Sequence, residues 1–177
     1  MGFAEKDKRR GSAFRAETEK VIARWLGTVE LREPIVDLGG RGKGRGWLQG
    51  LVEQEFETWD LQEGRTVSRV IDAQNMVGVE DGSIGTIICI ATLEHIEAPW
   101  LAAKEIARVI FPGGRLFVVA PFSYVFHEAP ADYWRFTPDG LRVLFGEAFR
   151  ESYCDWLDGG PQQVGVVFDG IRRGPAS

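Results

Sequence analysis

Sulfur and imidazole are scarce in this chain, which has two cysteines, two histidines and two methionines among 177 residues. With one conceivable cysteine pair and so few histidines, zinc finds no recognisable ligand set, and no metal is expected. Cys89 and Cys154 each fall in a strand-like apolar stretch, where a buried free thiol is the expectation. Long apolar runs are missing as well. The most apolar stretches, residues 84–90 and 116–120, fall far short of the ~20 residues a spanning helix needs, so no membrane insertion is expected. The first ten residues, MGFAEKDKRR, are charged and lack an apolar centre; they read as no secretory leader, which makes the cytoplasm the expected compartment. Lys6 stands where a myristoylation signal needs Ser or Thr. Positive charge is not in excess either. The net charge is −5, which disfavours a broad phosphate-binding surface and with it a nucleic-acid partner.

Apolar residues are plentiful at 44 %, enough for one packed domain and against disorder. Residues 1–11, with a basic cluster at 6–10, are expected to be a loosely attached tail, and 171–177 a second one. Between them lies a single domain, 12–170. Phe14, Val21, Ile22, Trp25 and Val29 recur at helical spacing. From Pro34 the texture changes to short strands: Ile35-Val36-Asp37-Leu38, Phe56-Glu57-Thr58-Trp59 ending at Asp60, and 67–71 ending at Asp72. Residues 84–90 are apolar nearly throughout, the mark of a central strand covered on both faces. A helix is predicted from Pro99, with Ala102, Ile106, Val109 and Ile110 on one side, stopped by Pro112-Gly113-Gly114. A strand at 115–120 follows, then a helix opened by Thr137-Pro138-Asp139. Two last strands, 149–156 and 164–168, flank Gly159-Gly160-Pro161 as an antiparallel hairpin. Alternating strands and helices closed by a hairpin make an α/β sheet with helices on both faces. The stretch between Asp60 and Val67 is too short for a helix, so one crossover is reduced to a turn.

Ligands of open α/β sheets bind beyond the carboxyl ends of the strands, and four such ends here carry suggestive residues. Gly39, Gly40, Gly42, Gly44 and Gly46 follow the first strand, letting the backbone turn sharply and approach a ligand closely. The phosphate-loop pattern fails because Gly44 follows Lys43 where Ser or Thr is needed, and no register between Gly39 and Gly46 gives G-x-G-x-x-G. A nicotinamide dehydrogenase thereby loses its main support. Asp60, ending the second strand, suits a pair of ribose hydroxyls, because a carboxylate accepts from both. Asp72, ending the third, suits an adenine amino group. Together, after a glycine turn, the two aspartates point to an adenosine site.

The ordered set Ile35-Val36-Asp37-Leu38-Gly39, Trp59-Asp60, Ile71-Asp72-Ala73, Ile88-Cys89-Ile90-Ala91-Thr92-Leu93-Glu94-His95 and Phe111-Pro112-Gly113-Gly114 resembles the motifs of class I S-adenosylmethionine-dependent methyltransferases, most closely the small UbiE-like (methyltransferase type 11) kind. The resemblance spans about residues 12 to 170. It implies a Rossmann-like, doubly wound, seven-stranded sheet of order 3-2-1-4-5-7-6 with the last strand antiparallel, in a three-layer αβα arrangement. It also implies the cofactor S-adenosyl-L-methionine, with S-adenosyl-L-homocysteine as product. By position, Asp37, Gly39, Gly40, Arg41 and Ala91 would serve the methionine part, Asp60 and Leu61 the ribose, and Asp72, Ala73 and Gln74 the adenine. The chain departs from the family at its loop: two, four and six positions after Asp37 stand Gly39, Arg41 and Lys43, where the family has three glycines. Residues 127–138, HEAPADYWRFTP, resemble a segment of a methyltransferase subset associated with bacterial cell-surface glycan synthesis.

That segment follows the fifth strand and so should cover the donor pocket, with His95, Asp132, Tyr133, Trp134 and Arg135 against substrate. The alternative is structural: Tyr133, Trp134 and Phe136 packed on the sheet, with Asp132 and Arg135 as an ion pair. Methyl transfer from a sulfonium is an in-line displacement in which positive charge disappears, so alignment and exclusion of water dominate. A base is needed only for a poorly ionised acceptor, and His127, near Glu128 and Asp132, is the candidate for O-methylation of a small hydroxylated acceptor such as a sugar. Nucleic-acid amino methylation is disfavoured, since the fourth strand ends in Ala91-Thr92-Leu93-Glu94 with no Asn/Asp-Pro-Pro-aromatic motif. The rival class is a non-catalytic protein of this fold that binds the nucleoside or a partner. A monomer or a homodimer fits either reading.

Overall fold

The computed structural model describes residues 3–41, 46–127, 131–158 and 163–174. In chain order its elements are α1 (Phe3–Leu26), β1 (Ile35–Leu38), α2 (Gly46–Gln49), β2 (Glu57–Asp60), β3 (Arg69–Val70), β4 (Ile84–Ile90), a 3₁₀ turn (Leu93–His95), α3 (Pro99–Val109), β5 (Ile110–Pro121), α4 (Pro138–Phe145), β6 (Phe149–Asp158) and β7 (Gln163–Arg172). They form one seven-stranded sheet of order β3-β2-β1-β4-β5-β7-β6. The pairs β3/β2, β2/β1, β1/β4 and β4/β5 are parallel, whereas β7 runs antiparallel to both β5 and β6. Strand order and direction are those expected. Of the hairpin, the turn residues Gly159, Gly160 and Pro161 lie outside the described residues.

β4 is buried along its whole length because its side chains supply two cores in alternation. Ile87 and Cys89 enter the core beneath α3 and α4, with Leu116 and Val118 of β5 and Val166 and Phe168 of β7. Ile88 and Ile90 enter the opposite core with Phe117, Val119 and Val167. Ala102, Ala103, Ile106, Leu141 and Phe145 cover the first face; Phe14, Ile22, Trp25 and Leu48 of α1 and α2 cover the second. Trp25 stacks on Phe117 at 4.2 Å between ring centroids. Complete burial of side chains of this size contributes about 1.5–3 kcal/mol each, so the three layers are held chiefly by these stripes. α4 starts where expected: the Thr137 hydroxyl accepts from the Gly140 N–H at 3.1 Å, with Pro138 at the first helical position.

Several boundaries differ from expectation. α3 ends at Val109 and β5 runs Ile110–Pro121, so Ile110, expected on the helix, and Pro112-Gly113-Gly114, expected to stop it, lie in the strand. α1 begins at Phe3, so residues 3–11 are helical, where no element was expected; the run AEKDKRR is rich in helix formers, and only Gly11 weighs against continuity. At the other end β7 reaches Arg172, carrying the domain two residues past 170 because the β6 register extends to Phe149↔Arg172. The third strand shrinks from 67–71 to Arg69–Val70 at one edge of the sheet. The link from β2 to β3 holds no helix, as its length demands. Among the described residues no helix is long and apolar enough to cross a membrane.

Candidate functional site

A cavity of about 600 Å³ opens where β1, β2, β3 and β4 end, a size ordinary for small-molecule sites of ~300–1,000 Å³. Of the residues expected at the cofactor, Gly39, Arg41, Asp60, Leu61, Asp72, Ala73, Gln74 and Ala91 line it, and so does His95. Asp37 and Gly40 do not. Asp37 is buried in β1, and its carboxylate lies beneath the backbone of Gly40, where a side chain on that glycine would collide with Oδ2. Gly42, Lys43 and Gly44, the rest of the irregular loop, lie outside the described residues.

The strand ends are shaped by backbone geometry. Gly39 has φ +81°, and a Cβ there would sit 2.2 Å from the Thr92 hydroxyl; only glycine fits both the dihedral and the space. Its N–H donates to the Trp59 carbonyl at 2.7 Å, tying β1 to β2 at the pocket floor. Thr92 in turn donates its hydroxyl to the carbonyls of Leu38 (3.1 Å) and Ile90 (2.9 Å). Ala91 sits at φ +48°, a conformation a non-glycine residue rarely adopts. That strain, at a residue lining the cavity, turns the chain sharply out of β4.

The two aspartates are held by backbone donors. Asp60 accepts at Oδ1 from the Gln62 N–H (3.0 Å) and at Oδ2 from the Arg41 N–H (3.3 Å). One donor on each oxygen fixes the carboxylate plane, and with about four acceptor positions in all the group can still take two hydroxyls. The Arg41 guanidinium lies 3.6 Å from Asp60, so this arginine in a glycine's place counters the carboxylate's charge. Asp72 accepts at Oδ1 from the Gln74 N–H (2.8 Å) and from Gln74 Nε2 (3.3 Å). Leu61, 54 % exposed, presents an apolar wall at the rim that a planar ring would cover.

His127 and the following segment stand one layer behind. Neither His127, Asp132, Tyr133, Trp134 nor Arg135 lines the cavity, but the His127 ring meets His95 edge-on at 4.8 Å and Tyr124 at 4.9 Å, and both of those do. The Asp132 side chain, 1 % exposed, pairs with the Arg135 guanidinium through both carboxylate oxygens and accepts the His127 backbone N–H at 2.9 Å. Arg135 holds the Asp132 carboxyl down at about 2. Arg135 also donates to the Val125 carbonyl (3.2 Å), fastening the segment to the end of β5. Tyr133 faces outward, 51 % exposed, while Trp134 donates its indole N–H to the Ile96 carbonyl at 2.9 Å. Phe136 enters the core. Of the two readings of this segment, the Asp132–Arg135 ion pair is present, and Tyr133 is not packed on the sheet. Glu128 lies outside the described residues.

His95 sits at the seam between the two layers. Its Nδ1 is 2.5 Å from the Ala131 carbonyl and its Nε2 3.7 Å from the carboxylate of Glu94, a wholly buried residue. Burial pushes the His95 imidazole below its usual pKa of 6.5. The sequence reading missed several residues of the site. Phe14 and Thr18 are one turn apart on α1 and line the cavity with Arg15, Trp47, Thr92 and Tyr124. A polar Thr18, 2 % exposed on an otherwise apolar stripe, was the available signal. It also missed that Glu94, His95 and His127 converge, with one ligand-capable atom of each within 4.8 Å of the others.

Residues 51–118 match a family described as a methyltransferase domain. Among curated protein sequences none matches the chain. Solved structures do. The Burkholderia thailandensis 1,6-didemethyltoxoflavin-N1-methyltransferase, with bound 1,6-didemethyltoxoflavin and S-adenosylhomocysteine, superposes with a TM-score of 0.66 at 16 % identity over 92 % of this chain and 79 % of that one. A Haloferax volcanii putative methyltransferase, in complex with the Trm112 methyltransferase activator, gives 0.63 at 14 % over 96 % of each. A SAM-dependent methyltransferase from Aquifex aeolicus gives 0.62 at 13 % over 87 % and 89 %. Strand order, the antiparallel seventh strand and these likenesses agree: the chain has the class I methyltransferase fold, with a methyltransferase-domain sequence across residues 51–118.

Proposed function

We propose that this chain binds S-adenosylmethionine across the ends of β1 to β4 and transfers its methyl group to a small hydroxylated acceptor, releasing S-adenosylhomocysteine. The observation that carries this reading is the convergence of the Gly39 turn, the fixed Asp60 carboxylate and the Asp72–Gln74 turn on one cavity. On this reading Asp60 accepts both ribose hydroxyls, Leu61 and Ala73 flank the adenine, and the methionyl part lies over Gly39 and Ala91. Arg15 and Arg41, both lining the cavity, counter the methionyl carboxylate. The bound S-adenosylhomocysteine of the Burkholderia neighbour supports the choice of donor.

The acceptor oxygen approaches from the His95–Tyr124 side, where the reacting methyl group would lie. Its lone pair forms the new O–CH3 bond while the S–CH3 bond pair returns to sulfur, turning the sulfonium into a thioether. The hydroxyl must shed its proton for this, and imidazoles are concentrated at that end: His95 at the wall and His127 against it. Calorimetric titration with S-adenosylmethionine and S-adenosylhomocysteine tests the donor: one equivalent of each is expected to bind. Absence of both would overturn the reading and leave the non-catalytic, partner-binding alternative. With a hydroxylated acceptor in hand, His127→Ala is expected to lower kcat about 100-fold or more with donor affinity retained; unchanged turnover would remove His127 from the chemistry.

A further inference from the structure

At and behind the His95 wall of the cavity stand three side chains of a kind that methyl transfer alone does not require together. Glu94 and His95 come from the 3₁₀ turn after β4, His127 from the segment after β5, and one oxygen or nitrogen of each lies within 4.8 Å of the others. From this geometry we infer that Glu94, His95 and His127 form a binding site for one divalent transition-metal cation, of which zinc is the best fit.

Two independent features of the cluster point to an ion. The first is its donor set. Two imidazoles and one carboxylate leave a fourth position open, the ligand number of a zinc site that works on a substrate, as opposed to a closed structural one. Donors about 2.1 Å from a tetrahedral zinc stand about 3.4 Å apart; His95 Nε2 and Glu94 Oε1 are already 3.7 Å apart. The second is the way the rings are held from behind. His95 Nδ1 meets the Ala131 carbonyl at 2.5 Å, and His127 Nδ1 meets the Val125 carbonyl at 3.1 Å and Asp132 Oδ2 at 3.3 Å. With only acceptors at Nδ1, each ring carries its proton there and keeps its Nε2 lone pair. That carbonyl- or carboxylate-backed arrangement is how metal-binding histidines are oriented.

Position gives the site a use. His95 lines the cavity, so the open ligand position would face the acceptor. A hydroxyl bound there loses its proton to solvent more readily, since a bound cation lowers the pKa of a coordinated oxygen. His127 then serves as a ligand of the ion. This inference rests on the proposed methyl transfer for its purpose and not for its evidence, so the two can fail separately.

The full chain, stripped with chelator and dialysed, would be titrated with Zn²⁺ alone and then with Co²⁺ as a spectroscopic substitute. One equivalent of Zn²⁺ is expected, and Co²⁺ is expected to give visible bands of a low-coordinate site. His127→Ala and Glu94→Gln should each weaken Zn²⁺ binding at least about 100-fold, the upper end of what even outer-shell partners contribute. The same samples would be titrated with S-adenosylhomocysteine. Metal binding without nucleoside binding supports the ion site while overturning the donor reading. Nucleoside binding without metal, or Zn²⁺ affinity equal in wild type and His127→Ala, overturns the ion site. If Glu94→Gln fails to fold by circular dichroism, His127→Ala decides, because the His127 side chain is about one-third exposed (32 %) and its removal leaves the core intact.

Discussion

The cavity has two halves built on different physics. The half at the strand ends, where the donor is proposed to bind, is made by backbone: a left-handed glycine, a strained alanine, and two aspartates whose oxygens are fixed by main-chain N–H groups of Arg41, Gln62 and Gln74. The other half, proposed for the acceptor, is the His95 wall, backed by a chain of side chains: Arg135 on Asp132, Asp132 against His127, and His127 against His95. The first kind of construction reads out of short local patterns and tolerates any acceptor chemistry. The second depends on which residues the fold brings together and can vary while the strand ends stay the same. Substitutions should therefore separate the halves.

The largest effect is expected at Arg135. Arg135→Ala strands the nearly inaccessible Asp132 carboxylate, and losing one partner of such a pair costs about 3 kcal/mol, at the low end because Arg135 itself is partly exposed. Urea denaturation should show that loss while S-adenosylhomocysteine still binds to the fraction that folds. Gly39→Ala comes next. Its dihedral alone costs about 1–3 kcal/mol, the displaced Thr92 adds to this, and donor affinity and stability should fall together. Asp60→Ala should separate them in the opposite sense to Arg135→Ala. Loss of two charge-assisted hydrogen bonds should weaken S-adenosylhomocysteine by about 2–4 kcal/mol, read by calorimetry, with the midpoint of unfolding nearly unmoved. Equal effects of Asp60→Ala and Arg135→Ala on both readouts would erase the distinction between the halves.

The same distinction explains what could be read before any coordinates. A glycine turn after β1 and acids ending β2 and β3 are patterns of neighbouring residues, and they led to Gly39, Asp60 and Asp72 without knowledge of tertiary contacts. The Asp132–Arg135 ion pair, three residues apart, was one of the two readings of its segment; the edge-on histidines and the Glu94–His95–His127 cluster join the turn after β4 to the segment after β5, and spacing along the chain gave no sign of them. A count of histidines and their linear spacing does not register side chains that meet only in the fold, as Glu94, His95 and His127 do. α1 was legible as a helix from its apolar stripe, but that Phe14 and Thr18 reach the cavity depends on how α1 crosses β6 and β7. The edge strand β3 is two residues long, shorter than its apolar run suggested.

A small effect bounds the core that both halves share. Burial raises the Cys154 thiol to about 11, and both cysteines are buried and outside any disulfide. Neither should react with a thiol reagent at neutral pH until the chain unfolds. Rapid labelling of the native protein would contradict the packing of β4 and β6.

The most direct test of the account is a crystal structure with S-adenosylhomocysteine. The ribose hydroxyls are expected on the two oxygens of Asp60, the adenine between Leu61 and the Asp72–Ala73 turn, and the sulfur over Ala91, facing His95. A nucleoside lying elsewhere, or Asp60 still bound only to Arg41 and Gln62 at saturating ligand, would contradict it.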